Sequence, residues 1–135
     1  VRGVYLLVLE NENASTMPIG KRKLHFDSGY YIYCGSAMNG LERRIERHFS
    51  RRKKLRWHVD YLSMKAKPIA AFAVVSEVKI ECWLSIELSK IFKEFDEFGA
   101  SDCSCRTHLF FSPFNPLERI EEFLKERSLD YFRFR

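Results

Sequence analysis

Gly3-Val4-Tyr5-Leu6-Leu7-Val8-Leu9-Glu10 is the stretch on which the fold of this 135-residue chain turns. Its middle is an unbroken apolar run rather than an alternation of apolar and polar residues. A strand of that kind is buried on both faces and belongs in the interior of a sheet. Asn11-Glu12-Asn13-Ala14-Ser15 supplies turn-forming residues that end it. Ile19 to Phe26 can return as a second strand, and Asp27-Ser28-Gly29 turns the chain into a third, Tyr30-Tyr31-Ile32-Tyr33-Cys34-Gly35. With loops this short, the expectation is a three-stranded antiparallel meander. On the third strand Tyr31 and Tyr33 share one face, while Tyr30, Ile32 and Cys34 share the other.

Asn39-Gly40 precedes a helical pattern from Leu41 to about Phe49, in which Leu41, Ile45 and Phe49 recur every four residues as a buried stripe. At 100° per residue, Arg44 and His48 fall along one border of that stripe. Arg43 and Arg47 point the opposite way, toward solvent or a distant phosphate. Arg56-Trp57-His58-Val59-Asp60-Tyr61-Leu62 reads as a second short helix, ended before Pro68, and the apolar run from Ile69 to Val75 as a buried strand. Ser76 is a candidate N-cap, with Glu77 in the first turn, for a helix reaching about Phe92. Glu81 lies inside the apolar arc of that helix, where an ionised carboxylate is costly unless a cation or metal answers it. After the polar loop Phe98–Cys105, His108 to Phe111 reads as a strand. Asn115-Pro116-Leu117-Glu118 has the order N-cap, N1 proline and N3 glutamate, and Tyr131 to Phe134 alternates like a last strand. The expected fold class is α/β, one domain over residues 1–135, with a central mainly antiparallel sheet of three or more strands flanked by helices.

A hydrophobic content of 46%, with twelve Phe and six Tyr, excludes a disordered chain, and no apolar run approaches the ~20 residues of a membrane span. Val1-Arg2-Gly3-Val4-Tyr5 enters the strand pattern without the basic and small-residue signature of an export signal. The four cysteines follow no regular spacing and read as reduced thiols, so the expected location is cytoplasmic. The net charge of +5 matters less than its placement. Arg43, Arg44, Arg47, Arg51, Arg52, Lys53, Lys54 and Arg56 stand against only Glu42 and Glu46, a local surplus larger than that of the whole chain. Balanced charges would describe a solvated helix face. An unbalanced cluster beside aromatic residues favours a polyanion, because phosphates reward concentrated positive charge through counterion release.

The sequence Gly3-Val4-Tyr5, then Tyr33-Cys34-Gly35, then Leu41-Glu42-Arg43-Arg44 resembles the GIY-YIG nuclease superfamily. That resemblance implies a sheet bearing two tyrosines, an arginine on the next helix that binds the scissile phosphate, and a glutamate on a later helix that binds one divalent metal. By position these are Tyr5, Tyr33, Arg44 and Glu81. The chain is also similar, over most of residues 3–111, to a group of small archaeal proteins related to that superfamily and sometimes fused to DNA-repair enzymes. The matching segments are Gly29–Ala37, Trp57–Leu62, Glu81-Cys82 and Phe98–Cys105 with His108-Leu109-Phe110.

The function this implies is a DNA endonuclease using one Mg²⁺ or Mn²⁺ at Glu81, structure-specific and connected with repair. Arg43, Arg47, Arg51, Arg52, Lys53, Lys54, Arg56 and His58 would contact nucleic acid, with no membrane partner. His48 is a proton acceptor of suitable chemistry beside Tyr5. It can equally be a core histidine at the helix border, and the tyrosines can be ordinary sheet aromatics. Trp57, His58 and Asp60 read as anchors of the second helix. Ser36 stands directly after the second tyrosine motif, where many catalytic members carry lysine or another proton-handling residue. It favours the alternative, a non-catalytic nucleic-acid-binding module on the same scaffold. Cys103, Cys105 and His108, beside Asp102, carry zinc-type donors, but C-x-C-x-x-H is short for a closed tetrahedral chelate and lacks the usual second pair. A polar loop lining the site's rim is the preferred reading of that segment.

Overall fold

The apolar run read as an interior strand becomes β1 (Gly3–Asn11), buried along nearly its whole length. In the computed structural model, residues 1–50, 58–95 and 107–135 are described, His58 by its backbone alone. After β1 come β2 (Ser15–Ile19), β3 (Arg22–Phe26), β4 (Gly29–Ala37), α1 (Leu41–Phe49), α2 (His58–Lys65) and β5 (Lys67–Val75). The remainder contributes α3 (Glu81–Leu88), β6 (Lys93–Glu94), β7 (Leu109–Ser112), α4 (Leu117–Glu126) and β8 (Tyr131–Phe134). Among the described residues these strands build a six-stranded sheet in the order β6-β7-β4-β1-β5-β8 and a separate hairpin, β2-β3. Every pairing is antiparallel. The expected α/β class with an antiparallel sheet flanked by helices is the one observed.

Side-chain alternation divides the core into two layers. On one face Tyr5, Leu7, Leu9 and Tyr31 meet Leu41 and Ile45 of α1, Val59 and Leu62 of α2, and Ile19 and Phe26 of the hairpin. On the other, Val4, Leu6, Val8, Ile32 and Cys34 meet Leu84 and Leu88 of α3 and Ile120, Phe123 and Leu124 of α4. The chain is thus a three-layer sandwich of helix, sheet and helix, the arrangement that a sheet apolar on both faces requires.

Several local expectations are corrected. The meander does not form, because β1 pairs directly with β4, Tyr5 opposite Gly35 and Leu7 opposite Tyr33. The stretch expected to return as one strand instead turns at Gly20, whose φ of 63° suits glycine, and becomes a hairpin. It lies over the α1 face because Met17, Ile19, Leu24 and Phe26 pack there. Ser76 does not cap a helix: its hydroxyl donates to the Val78 carbonyl at 2.7 Å and accepts from the Val78 amide at 3.2 Å, a local turn that delays α3 to Glu81. Cys82 is disulfide-bonded, whereas reduced thiols were expected; Cys34 is a buried thiol. At α4 the helix starts one residue later than expected, with Pro116 rather than Asn115 in the N-cap position, although the Asn115 side-chain oxygen still accepts from the Leu117 amide at 3.0 Å.

Candidate active site at the Tyr5–Gly35 end of the sheet

The register of β1 against β4 assembles the site. Tyr5 lies directly across from Gly35, and a Cβ at that glycine would overlap the Tyr5 ring. Only glycine lets the ring lie flat across β4. Tyr33, two residues back on the same face, then stands beside Tyr5 with ring centroids 6.2 Å apart. The helix that follows brings the remaining parts. Its entry needs Gly40, whose φ of 145° disfavours any side chain, and its stripe of Leu41 and Ile45 fixes the rotation of α1 on the sheet. That rotation turns His48 inward, 1% exposed, with its Nε2 2.6 Å from the Tyr5 hydroxyl and its ring 6.3 Å from that of Tyr33. Arg44, one turn earlier, donates to the Ser36 carbonyl at 3.0 Å and so ties the helix to the end of β4. Tyr5, Tyr33, Arg44 and His48 are therefore together.

Electrostatics sort these groups. Burial, reinforced by Tyr33, pushes the Tyr5 phenol well above its ordinary pKa, while the Arg44 guanidinium opposes this by charge and hydrogen bonding. Burial also raises Tyr33, helped by the nearby Cys34 and Glu81 and countered by Arg44. Both tyrosines are neutral phenols at physiological pH. Tyr5 is 2% exposed, whereas Tyr33 is partly buried and is the more accessible of the two residues.

Beneath His48 lies Asp60 of α2, fully buried, with its Oδ1 4.0 Å from His48 Nδ1. Arg47 grips that carboxylate with two bonds, Nη1 to Oδ1 at 2.6 Å and Nη2 to Oδ2 at 2.9 Å. Arg47 was expected to point to solvent; instead it neutralises a buried charge and joins α1 to α2. Arg43 does face outward. On this outer side an open groove of about 580 Å³ is lined by Asn39, Gly40, Arg43, Arg44, Arg47 and Ser50, with Glu46 also at its wall.

Glu81 opens α3, whose apolar residues pack on the sheet face opposite Tyr5. Its side chain is 16% exposed and pairs with Lys79 Nζ at 3.3 Å. After burial and Cys34, the carboxylate is a further cause of the raised Tyr33 pKa. A carboxylate of this exposure suits Mg²⁺ or Mn²⁺, hard ions that keep several waters and take one or two carboxylates together with substrate phosphate oxygens. Among the described residues no group of three or more His, Cys, Asp or Glu side chains is placed to hold a metal. His108, one of the zinc-type donors, is buried with its Nδ1 2.8 Å from the Ser85 hydroxyl. Arg51, Arg52, Lys53, Lys54, Arg56, Trp57, Asp102, Cys103 and Cys105 lie outside the described residues, as does the side chain of His58.

A family model, the domain of unknown function DUF123, matches residues 4–129. The chain belongs to the DUF123 family. No curated protein and no solved structure matches it. The match takes in every element from β1 to α4 and thus the whole tyrosine site.

Asp60 is the residue of this DUF123 chain whose place the sequence reading understated. A helix anchor was expected, and Asp60 does hold α2 to α1, but it also lies beside the His48 imidazole that touches Tyr5. The available signal was charge: an acidic residue flanked by Val59 and Leu62, both buried, needs a partner. No helix among the described residues is long and apolar enough to cross a membrane.

Proposed function

We propose that this chain is a metal-dependent endonuclease of GIY-YIG type that hydrolyses DNA phosphodiester bonds, acting on structured DNA of the kind met in repair. The observation that carries the reading is the convergence of Tyr5, Tyr33, Arg44 and His48 at one end of the sheet, beside an arginine-lined groove. Phosphodiester hydrolysis needs a cation to offset charge developing on the phosphate, a group that takes a proton from water, and a surface that tracks the polyanion. Arg44 supplies the first. Tyr33 and Tyr5 orient the water, with His48 receiving the proton through Tyr5. Arg43 and the basic stretch after α1 supply the third. A divalent cation at Glu81 would act as a Lewis acid toward a phosphate oxygen.

A second reading, a nucleic-acid-binding module without turnover, has its own support. Lys79 already answers the Glu81 charge, and Ser36 offers no proton-handling group after the second tyrosine. Incubation with flapped, branched and duplex DNA, with and without Mn²⁺, separates the two. On the nuclease reading wild type cleaves only with metal, and Glu81→Gln abolishes cleavage while DNA affinity stays nearly intact. Equal cleavage by wild type and Glu81→Gln at matched purity overturns the metal assignment, and binding without cleavage of any substrate selects the module.

A further inference from the structure

The Tyr5 hydroxyl has one proton, and two groups compete for its oxygen. Arg44, which can only donate, acts on the phenol by charge and hydrogen bonding and opposes the rise of its pKa. The proton of the phenol therefore points to the other neighbour, His48 Nε2, 2.6 Å away. A nitrogen that accepts has no hydrogen of its own, so a neutral His48 carries its proton on Nδ1. Asp60 faces that nitrogen, its Oδ1 at 4.0 Å and its side chain wholly buried. A negative charge on that side stabilises hydrogen on Nδ1 and disfavours a lone pair there. Arg47 holds the carboxylate in place with two hydrogen bonds and satisfies its charge, so the residue can remain ionised inside the fold.

We propose that Asp60 is a positioning residue that locks His48 in the Nδ1–H tautomer, so that Nε2 is the standing acceptor for the Tyr5 proton. The catalytic consequence rests on the nuclease reading; the tautomer does not. In that reaction water gives a proton to the Tyr5 oxygen as Tyr5 passes its own to His48 Nε2. The water oxygen forms a bond to phosphorus, the scissile P–O bond breaks, and the leaving oxygen takes a proton from solvent. The imidazolium left behind lies against the Asp60 carboxylate. Charged or titratable groups around His48 include Tyr5 from β1, Tyr33 from β4 and Asp60 from α2, with Arg47 of its own helix on the Asp60 carboxylate and Arg44 acting on Tyr5.

The test is nitrogen NMR of the full chain labelled at histidine, read at neutral pH, together with cleavage assays. Wild type is expected to show a pyrrole-type Nδ1 and a pyridine-type Nε2 at His48. Asp60→Ala and Arg47→Ala break the same ion pair, so a purely structural role makes them alike. The proposal makes them differ: Arg47→Ala keeps the Nδ1–H tautomer, whereas Asp60→Ala populates Nε2–H and lowers cleavage roughly a hundredfold, the scale of lost acid–base assistance, with DNA affinity retained. If Asp60→Ala fails to fold, the isosteric Asp60→Asn replaces it. Hydrogen on Nε2 in wild type, or an unchanged tautomer in the Asp60 variants, overturns the proposal. The predicted tautomer in a wild type that cuts nothing removes the nuclease reading and leaves the positioning role standing.

Discussion

Replacing Gly35 by alanine tests the construction of the site directly. The added methyl would overlap the Tyr5 ring, and the ring cannot retreat easily because it is buried against β4 and bonded to His48. Overpacking of this kind costs about 1–3 kcal/mol, and loss of the buried hydrogen bond adds about 0.5–1.5 kcal/mol. The sum, roughly 1.5–4.5 kcal/mol, corresponds to a melting temperature lower by about 5–16 °C for a domain of this size. Tyr5→Ala alone should cost about 3–5 kcal/mol through the cavity it leaves. In that background the Gly35 methyl has room, and alanine in place of glycine in a strand contributes about 0.5–1 kcal/mol of its own. The double mutant should therefore be no less stable than Tyr5→Ala, giving a coupling of about 2 kcal/mol or more in a urea-unfolding cycle. If Gly35→Ala costs the same in both backgrounds, the ring does not lie on Gly35 and the site is built differently.

Arg43 lines the outer groove and faces solvent, so Arg43→Glu should weaken DNA binding uniformly across sequences and reduce the slope of log K against log salt by about 0.9 for the lost phosphate contact. Unchanged affinity and slope in fluorescence anisotropy would make this helix face a solvated surface only. The tyrosines carry a pH dependence whose sign follows from their raised pKa values. Tyr5 and Tyr33 are above 10.0 in the folded state because burial disfavours the phenolate, so their stabilisation is complete below that value and is lost as pH rises past it toward the folded pKa values. Each then withdraws up to about 1.4 kcal/mol per pH unit. Tyr5→Phe should flatten this alkaline limb by close to one proton in urea titrations from pH 9 upward, and an unaltered limb would show that Tyr5 is not the buried phenol described.

What could be read in the chain beforehand follows the range of the interactions. α1 was legible to its ends because Leu41, Ile45 and Phe49 repeat at the helical period and Gly40 precedes them. The facing of Tyr31 and Tyr33 was legible because alternation along a strand is local. The pairing of β1 with β4 was not, since it joins residues about thirty positions apart and leaves a hairpin between them; the short turns favoured the meander equally well. Ser76 misled because a serine that caps a helix and one that closes a turn offer the same hydroxyl to the same backbone groups. Asp60 and Arg47 were misjudged for a related reason. A wheel places Arg47 away from the sheet, yet α2 packs against that side of α1 and supplies the buried carboxylate.

Glu81 is where topology and chemistry meet. Its helix packs on the face opposite Tyr5, which by itself would separate a carboxylate from the tyrosines. The sheet ends at this point, however. β7 pairs with β4 only from Tyr30 to Tyr33, and one further bond runs from the Cys34 amide to the His108 carbonyl, so among the described strands Gly35 to Ala37 have no neighbour on that side. The start of α3 is anchored at the same place, the Cys34 thiol lying 3.6 Å from the Glu81 carbonyl. The start of α3 thus lies beside the end of β4, and the Glu81 carboxylate is among the groups that raise the Tyr33 pKa. A phosphate held by Arg44 on one side of this edge would be approached by Glu81 from the other. The proposed reaction therefore needs a cleft at the end of the sheet rather than on either of its faces.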